Sequence, residues 1–302
     1  MAPRPRVLAA LLASFALPAT ASAQEASSGR SLFNSIKWEF GEKEVDIGNV
    51  AEFTIPNRCR YTDAEGAKTF MILTENPPTG REQGVLLCGD IGGDTTSGQK
   101  PWFVVFSFDE SGYVRDDEGK ELDAAKILAS IRAGTEAANE IRKKRGWGVL
   151  HIDGWVRPPY YDPTTHNLTW STKATEPSIG SSVNHSVRLL GRRGVLHADL
   201  VAEPEQLDAL VGIFDGVIAS TKFLPGHKYA EWRKGDKVAS YGLTALVAGG
   251  AGVAAAKSGL LGKLGKFFVL LFAKLGKLMI AAVFGLLAGI KALLSRKKEA
   301  TA

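Results

Sequence analysis

Two His-x-Asp pairs are the residues of this chain whose types and spacing could do chemistry. His151 and Asp153 stand two positions apart in one segment typical of a strand, and His197 and Asp199 do so in another. Alternate residues of a strand share a face, so each pair would present an imidazole beside a carboxylate. If the two strands were neighbours, the four groups could bind a metal ion such as zinc. Otherwise they are ordinary polar residues on a half-exposed sheet.

Recognised catalytic motifs are missing from the rest of the sequence. It contains no G-x-S-x-G, H-E-x-x-H or C-x-x-C pattern. Gly93 and Gly98 have the spacing of a P-loop, but Gln99 separates the second glycine from Lys100, and Pro101 follows in place of Ser or Thr. The sequence therefore predicts no cofactor, leaves any catalytic residues unknown and favours a protein that is not an enzyme.

Aromatic residues offer a second type of candidate site. Trp155, Tyr160 and Trp170 lie within or beside the run Pro158-Pro159-Tyr160-Tyr161-Asp162-Pro163, whose composition predicts a turn region. These rings could form a platform that binds a ligand. They could equally pack over one end of the sheet, because aromatic and proline residues stiffen such corners.

A cluster of arginines forms a third candidate site. Arg188, Arg192 and Arg193 surround the predicted hairpin turn Gly191–Gly194. Guanidinium groups pair well with phosphate and carboxylate groups, so this turn could bind an anionic lipid headgroup or a glycan. The alternative is an ordinary solvated hairpin tip.

The order of the predicted elements indicates the α+β class, with a mainly antiparallel sheet and flanking helices. Short turns separate the strand-like segments, so each strand should pair mainly with its neighbour in sequence. One long helix has apolar residues at helical spacing and ends in cations followed by Gly146, which suits a helix C-terminus. The predicted strands cover residues 49–56, 85–88, 102–108, 149–156, 167–172, 183–190 and 195–201, and the predicted helices cover residues 62–73, 122–144 and 204–221.

The N-terminus is typical of a secretory signal peptide. Arg4 and Arg6 precede the apolar run Val7–Leu17, and Ala21-Ser22-Ala23 matches the small-residue cleavage pattern. An uncleaved anchor is the alternative. The sequence then divides into five parts, namely a signal peptide (1–23), a flexible entry segment (24–44), an exported α+β domain (45–222), a linker (223–237) and a membrane-anchoring tail rich in Gly, Ala and Lys (238–302).

Charge and cysteine content narrow the choice of partner and compartment. Residues 24–237 carry 26 Lys or Arg against 31 Asp or Glu, a net charge of −5, whereas residues 238–302 carry a net charge of +8. A nucleic-acid partner needs a basic face on the folded domain, so none is expected. The two cysteines, Cys59 and Cys88, could form a disulfide in an exported domain or remain separate buried thiols.

The tail combines apolar sequence with a lysine stripe. On a helix, five lysines fall within an arc of roughly 100°, and the rest of the circumference is apolar. Such a helix lies in or on a bilayer, with its lysines near anionic headgroups. The lysines of the stripe are Lys263, Lys266, Lys274, Lys277 and Lys291.

Three arrangements of the tail fit the lengths of its apolar runs. Residues 267–290 could cross the bilayer once, or residues 238–256 could cross it and be followed by an interfacial helix. Both runs could also cross as a hairpin. A single crossing places Arg296-Lys297-Lys298 in the cytoplasm, as the positive-inside rule prefers. Tails with inward-facing lysines could in addition join copies of the chain into a homo-oligomer.

Several motifs occur in a fixed order across most of residues 45–295. They are Asn76-Pro77-Pro78, Asp109–Val114, Gly154–Asp162, His166–Trp170, Arg188–Leu196, Tyr229–Trp232 and Asp236–Gly242. Together they resemble the DUF2167 family of uncharacterised bacterial membrane-anchored proteins. The resemblance implies membrane anchoring and supplies neither an activity nor catalytic residues.

Taken together, these features predict a membrane-anchored protein of the bacterial envelope. The globular domain would lie on the periplasmic side of the inner membrane and serve as a binding or scaffolding module, with the lipid bilayer and an envelope protein as partners. The alternative is an envelope hydrolase or metal-dependent enzyme that uses the His/Asp site.

Overall fold

An eight-stranded antiparallel sheet forms the centre of the computed structural model, which describes residues 31–89, 100–117, 119 and 122–248. The sheet has the strand order β1-β4-β5-β6-β10-β9-β8-β7, and a second sheet has the order β11-β3-β2. The strands are β1 (Glu39–Phe40), β2 (Glu44–Ile47), β3 (Ala51–Thr54), β4 (Cys59–Asp63), β5 (Glu82–Cys88), β6 (Trp102–Asp109), β7 (His151–Asp162), β8 (Asn167–Glu176), β9 (Gly180–Leu190), β10 (Val195–Ala202) and β11 (Lys222–Phe223).

The large sheet consists of two meanders joined side by side. Strands β4, β5 and β6 follow one another, as do β7, β8, β9 and β10, and β6 then pairs with β10. The central register sets Phe106 opposite Ala198 and Val104 opposite Leu200. Strand β6 has a nearly continuous apolar sequence, whereas β10 alternates buried residues with partly buried ones such as His197 and Asp199.

Besides a helical segment at residues 31–35, four α-helices lie in the described part of the chain, and local sequence accounts for their ends. Asp63 caps the first helix by accepting hydrogen bonds from the amides of Glu65 and Gly66, and Asp123 caps the second by accepting one from Lys126. The basic last turn of the second helix suits the helix dipole. The helices are α1 (Ala64–Leu73), α2 (Ala124–Lys144), α3 (Leu207–Ser220) and α4 (Leu243–Val247).

Apolar side chains cover both faces of the large sheet. On one face, Phe214 of α3 belongs to a buried cluster that also includes Phe106 of β6 and Phe53 of the small sheet. On the other face, Phe70 of α1 packs edge-on against Phe103, with their ring centroids 5.0 Å apart. The described residues therefore confirm the predicted α+β class with its mainly antiparallel sheet.

The two cysteines form a disulfide between neighbouring strands. Cys59 of β4 and Cys88 of β5 are direct partners in the register, with their Cα atoms 4.2 Å apart. Of the two alternatives that the sequence left open, the structure therefore shows the disulfide.

The proline-rich segment is a strand rather than the predicted turn. Strand β7 continues through Pro158 and Pro159 to Asp162, with register shifts against β8, and the turn follows at residues 163–166. Proline has no amide hydrogen to donate to a ladder, but β7 lies at the edge of the sheet, where one side needs no partner.

The predicted linker packs onto the domain. Lys222 and Phe223 form strand β11, which pairs with β3, and Tyr229 is buried. The strap, as we name residues 222–236, therefore belongs to the folded body. Composition alone missed it because its pairing partner lies far away along the chain.

The first part of the predicted tail also folds with the body. Tyr241, Leu243 and Leu246 are buried, α4 contacts α2, and α4 ends at Val247. Residues 249–302, which include all five lysines of the stripe and most of the proposed spans, lie outside the described residues. Within the described ranges, none of the helices combines the length and apolar character needed to cross a bilayer.

Candidate functional site

A cleft of about 1230 Å³ lies on the face of the sheet that α3 covers. Its sides come from strands β7 to β9, from α3 and from the strap. Most of its exposed lining is apolar, and charged and polar side chains also line it, which is the usual character of a small-molecule site. The apolar residues of the lining include Val187, Leu189, Val211, Ile218, Phe223 and Leu224.

Helix α3 forms one wall because it carries two adjacent apolar stripes. Leu210, Phe214 and Val217 are buried against the sheet. Val211 and Ile218, one position further round the helix, are only partly buried and face the cleft. The first stripe fixes the helix to the core, and the second remains available to a ligand.

The strap forms the opposite wall and is held at both ends. Near its start, the amide of Leu224 donates to the carbonyl of Val50 at 2.9 Å. Near its end, Arg192 makes a two-point contact with the carboxylate of Asp236 at 2.8 and 2.9 Å. Between these points, the hydroxyl of Tyr229 donates to the carbonyl of Val114. The strap is therefore a fixed wall.

Asp116, Tyr161 and His166 form a polar cluster at one end of the cleft. The hydroxyl of Tyr161 donates to Asp116 Oδ2 at 2.5 Å, and His166 Nδ1 lies 3.2 Å from the same oxygen. The ring of His166 stacks on Tyr229 with a centroid distance of 4.3 Å. His166 lines the cleft and has a φ of 56°, a left-handed conformation that histidine adopts more readily than most residues.

The surroundings of Asp116 indicate which nitrogen of the His166 ring carries the proton. Burial raises the pKa of Asp116, but the hydrogen bonds from Tyr161 and His166 outweigh burial and hold this pKa below its usual value. The carboxylate is therefore ionised and needs donors, so we assign the proton of neutral His166 to Nδ1. Nε2, which has no partner among the described residues, is then a hydrogen-bond acceptor available to a ligand.

A second histidine lies at the floor of the cleft. His185 Nδ1 is 2.7 Å from the hydroxyl of Ser171, and its ring meets Phe214 edge-on at 5.5 Å. Burial, and then the charge of Arg157, lower the pKa of His185, so it is neutral at pH 7. Ser171 is fully buried behind the ring, where it fixes the orientation of the imidazole and cannot reach a substrate.

The two His-x-Asp pairs do not come together. Strands β8 and β9 separate β7, which carries His151 and Asp153, from β10, which carries His197 and Asp199. Three strand spacings amount to about 14 Å, too far for one metal ion. Among the described residues, no group of three or more His, Cys, Asp or Glu side chains could hold a metal.

Each member of these pairs has a local role instead. His151 lies 3.0 Å from Glu136 of α2, and Asp153 accepts a hydrogen bond from Thr175. Asp199 accepts from Arg188 at 2.9 Å. Nε2 of His197 is buried without a hydrogen-bond partner in the described part of the chain.

Trp170 and Arg188, two of the predicted ligand-binding residues, stack on each other. The guanidinium carbon of Arg188 lies 4.7 Å from the ring centroid of Trp170, a cation–π contact. Arg188 is 8% exposed and Trp170 is 5% exposed. In β9, Arg188 lies between the cleft-lining residues Val187 and Leu189 and is therefore on the other face of the strand. This pair therefore stabilises the opposite face of the sheet, although Trp170 also borders the cleft.

The remaining predicted ligand-binding residues are dispersed. Tyr160 lines the cleft and is 67% exposed. Trp155 donates from Nε1 to the carbonyl of Ala124, which fixes the start of α2. Arg192 holds the strap, and Arg193 is exposed. Only Tyr160 and Trp170 of the predicted set therefore border the cleft.

Sequence reasoning missed Asp116, Tyr161, His166 and Tyr229 as members of a site. His166 lies in a matching motif, and so does Tyr229, but nothing in their spacing indicates a common cluster. Asp116 lies 50 residues before His166. The strap brings Tyr229 to the cluster, but the composition of this segment predicts a linker.

Two solved structures show limited similarity to this chain. The solution structure of cyanobacterial PsbP (CyanoP) from Synechocystis sp. PCC 6803 has 12% sequence identity and a TM-score of 0.34, covering 63% of this chain and 93% of that one. The crystal structure of PA94 from Pseudomonas aeruginosa, a protein of unknown function described as a putative regulator, has 11% identity and a TM-score of 0.25, covering 44% of this chain and 77% of that one. Similarity of this degree does not indicate a shared function.

The family comparison is more specific. No curated protein matches the chain by sequence. The model of DUF2167, described as a protein of unknown function, matches residues 39–286, which include every strand, the cleft and the Asp116 cluster. The chain belongs to the DUF2167 family.

Proposed function

We propose that this protein is an exported binding module of the bacterial envelope, tethered to the inner membrane by its C-terminal segment. The observation that carries the binding role is the cleft, whose walls are fixed by α3 and the strap and whose lining is mainly apolar. A cleft with fixed walls and a mainly apolar lining has the usual character of a site that recognises a small-molecule ligand.

The disulfide supports export. Cys59 at the start of β4 pairs with Cys88 at the end of β5, and such bonds persist in oxidising compartments such as the periplasm. The signal-peptide pattern at the N-terminus agrees with this compartment. The lysine-striped tail supports tethering, because cations beside apolar sequence favour an anionic bilayer.

A second candidate function is acid–base chemistry at His166. A histidine whose Nδ1 faces a carboxylate has the arrangement of a general base, and it lies at the end of a cleft. The cluster contains no nucleophile beside the histidine among the described residues, since Ser171 is buried elsewhere against His185. Binding is therefore the better supported function.

Photocrosslinking in intact cells tests the binding role. A benzophenone amino acid would replace Val211, which faces the cleft, and in a matched control Ile213, which is 41% exposed on the same helix and does not line the cleft. The proposal predicts a discrete adduct with an envelope component from position 211 and none from position 213. Equal or absent crosslinking at the two positions would contradict it.

A further inference from the structure

We propose that the cleft binds a neutral single-chain amphiphile, drawn from the membrane, whose hydroxyl group donates a hydrogen bond to His166. The chain of this lipid would lie on the apolar floor. The inference rests on the proposed function and names its ligand. Three properties of the cleft support it, namely its apolar lining, its balanced charge and the oriented acceptor of His166.

The apolar lining provides a continuous place for a chain. Val187 and Leu189 of β9 form the floor, Val211 and Ile218 of α3 form one wall, and Phe223 of the strap forms the other. Burying apolar surface is favourable in proportion to its area, so each methylene placed here raises affinity by up to about fourfold. The cleft volume of about 1230 Å³ exceeds that of most small-molecule sites, which suits a long ligand.

The charges around the cleft balance. Its lining contains three cations and three carboxylates, and burial keeps His185 neutral by lowering its pKa. Neither a carboxylate nor an ammonium headgroup therefore finds a net complementary charge. A headgroup without charge is the one that this lining favours. The charged residues of the lining are Arg157, Lys222, Lys228, Glu52, Asp162 and Asp215.

The polar end of the cleft presents one oriented acceptor. Asp116 and Tyr161 occupy the Nδ1 side of His166, and Tyr229 covers one face of the ring. Nε2, which has no partner among the described residues, accepts a hydrogen bond when the ring is neutral. A hydroxyl group is an uncharged donor that fits this position. The proposed ligand therefore has an apolar chain, an uncharged headgroup and a hydroxyl donor.

Matched probes separate the hydroxyl contact from chain burial. The probes are 1-octanol and methyl heptyl ether, which have the same number of carbon atoms and differ in the presence of the donor. They would be titrated into the full-length protein in nanodiscs, with an environment-sensitive dye on A219C, an exposed position that lines the cleft. The disulfide leaves no other thiol for the dye. Dye on I213C, outside the cleft, reports any effect of the probes on the bilayer itself.

The expected result is a preference for the alcohol that depends on His166. One neutral hydrogen bond corresponds to about a fivefold difference in dissociation constant. His166→Asn should abolish this preference. The variant should bind the ether as before, because asparagine tolerates the positive φ of this position and so preserves the turn. Val211→Asp should weaken both probes, and Ile213→Asp on the same helix should weaken neither.

Each contrary outcome has a separate meaning. Equal affinity for alcohol and ether in the unaltered protein would overturn the hydroxyl contact, and tighter binding of octanoate or octylamine would overturn the neutral headgroup. Binding of neither probe would overturn the lipid ligand altogether. In all of these cases a crosslink from position 211 to another envelope component would preserve the proposed function, so the two failures are distinguishable.

Discussion

Asp116 Oδ2 lies 3.2 Å from Nδ1 of His166, although 50 residues separate them in the chain. The contact depends on the strap, because Tyr229 packs on the ring of His166 and donates to the carbonyl of Val114, two residues before Asp116. Three distant segments thus orient one imidazole at the end of the cleft. This orientation is the basis of the ligand class inferred above.

The tautomer of His166 provides the first prediction. Because the ionised Asp116 needs a donor, the neutral ring should carry its proton on Nδ1. Nitrogen-15 chemical shifts of the imidazole, recorded where the ring is neutral, should show this tautomer. Asp116→Ala should increase the Nε2-protonated population, and Tyr161→Phe, which leaves the carboxylate in place, should not. A dominant Nε2-protonated form in the unaltered protein would contradict the assignment.

Acid should destabilise the domain through His197. Burial, and then the charges of Arg188 and Arg81, hold its pKa well below the ordinary 6.5. Below pH 6.5 the unfolded state therefore binds a proton that the folded state refuses. Stability should fall by up to about 1.4 kcal/mol for each pH unit below that point, until the folded-state pKa is reached.

Urea unfolding between pH 7 and pH 4.5 measures this effect. His197→Leu removes the titrating group, and its buried Nε2 has no hydrogen-bond partner among the described residues to lose. The variant should therefore show a shallower loss of stability in acid than the unaltered protein. An unchanged pH dependence would show that His197 does not control acid stability.

Removal of the disulfide should lower stability without changing the fold. The bond between Cys59 and Cys88 closes a loop with a sequence separation of 29, for which loop entropy predicts a loss of about 3.5 kcal/mol. Urea unfolding of the double variant C59S/C88S measures this loss. Free thiols at both positions in protein isolated from the envelope would contradict the exported state.

The strap should loosen when Arg192 is removed. Its two-point contact with Asp236 joins the strap to the β9–β10 hairpin. Arg192→Ala should increase hydrogen exchange across the strap, and Arg193→Ala should not, because Arg193 is exposed and has no ion-pair partner among the described residues. Equal protection of the strap in the two variants would show that the contact does not hold this wall.

Local signals predicted seven of the strands and the helices α1 to α3, but they missed β1, β2, β4, β11 and α4. Asp63 marked the start of α1, and the basic residues before Gly146 marked the end of α2, because capping acts between residues close in sequence. The same logic failed for Pro158 and Pro159, since proline composition indicates a turn but the structure places them on an edge strand.

The site could not be predicted because it depends on pairing between distant segments. His151 and His197 shared a sequence pattern, but the strand order separates them. His166 and Asp116 share no pattern, but the turn after β7 and the strap bring them together. The pairing of β6 with β10 and the position of the strap both depend on contacts between residues far apart in the chain. The periodicity of a single sequence carries no information about such contacts.

Labelling of single cysteines in intact spheroplasts tests the central claim that the cleft-bearing domain is exported and tethered. An impermeant thiol reagent would be applied to A129C, exposed on α2, and to S295C near the end of the tail, with the disulfide retained. The account predicts labelling at 129 and protection at 295 until the membrane is permeabilised. Protection at 129 in intact spheroplasts would place the domain in the cytoplasm and contradict the account.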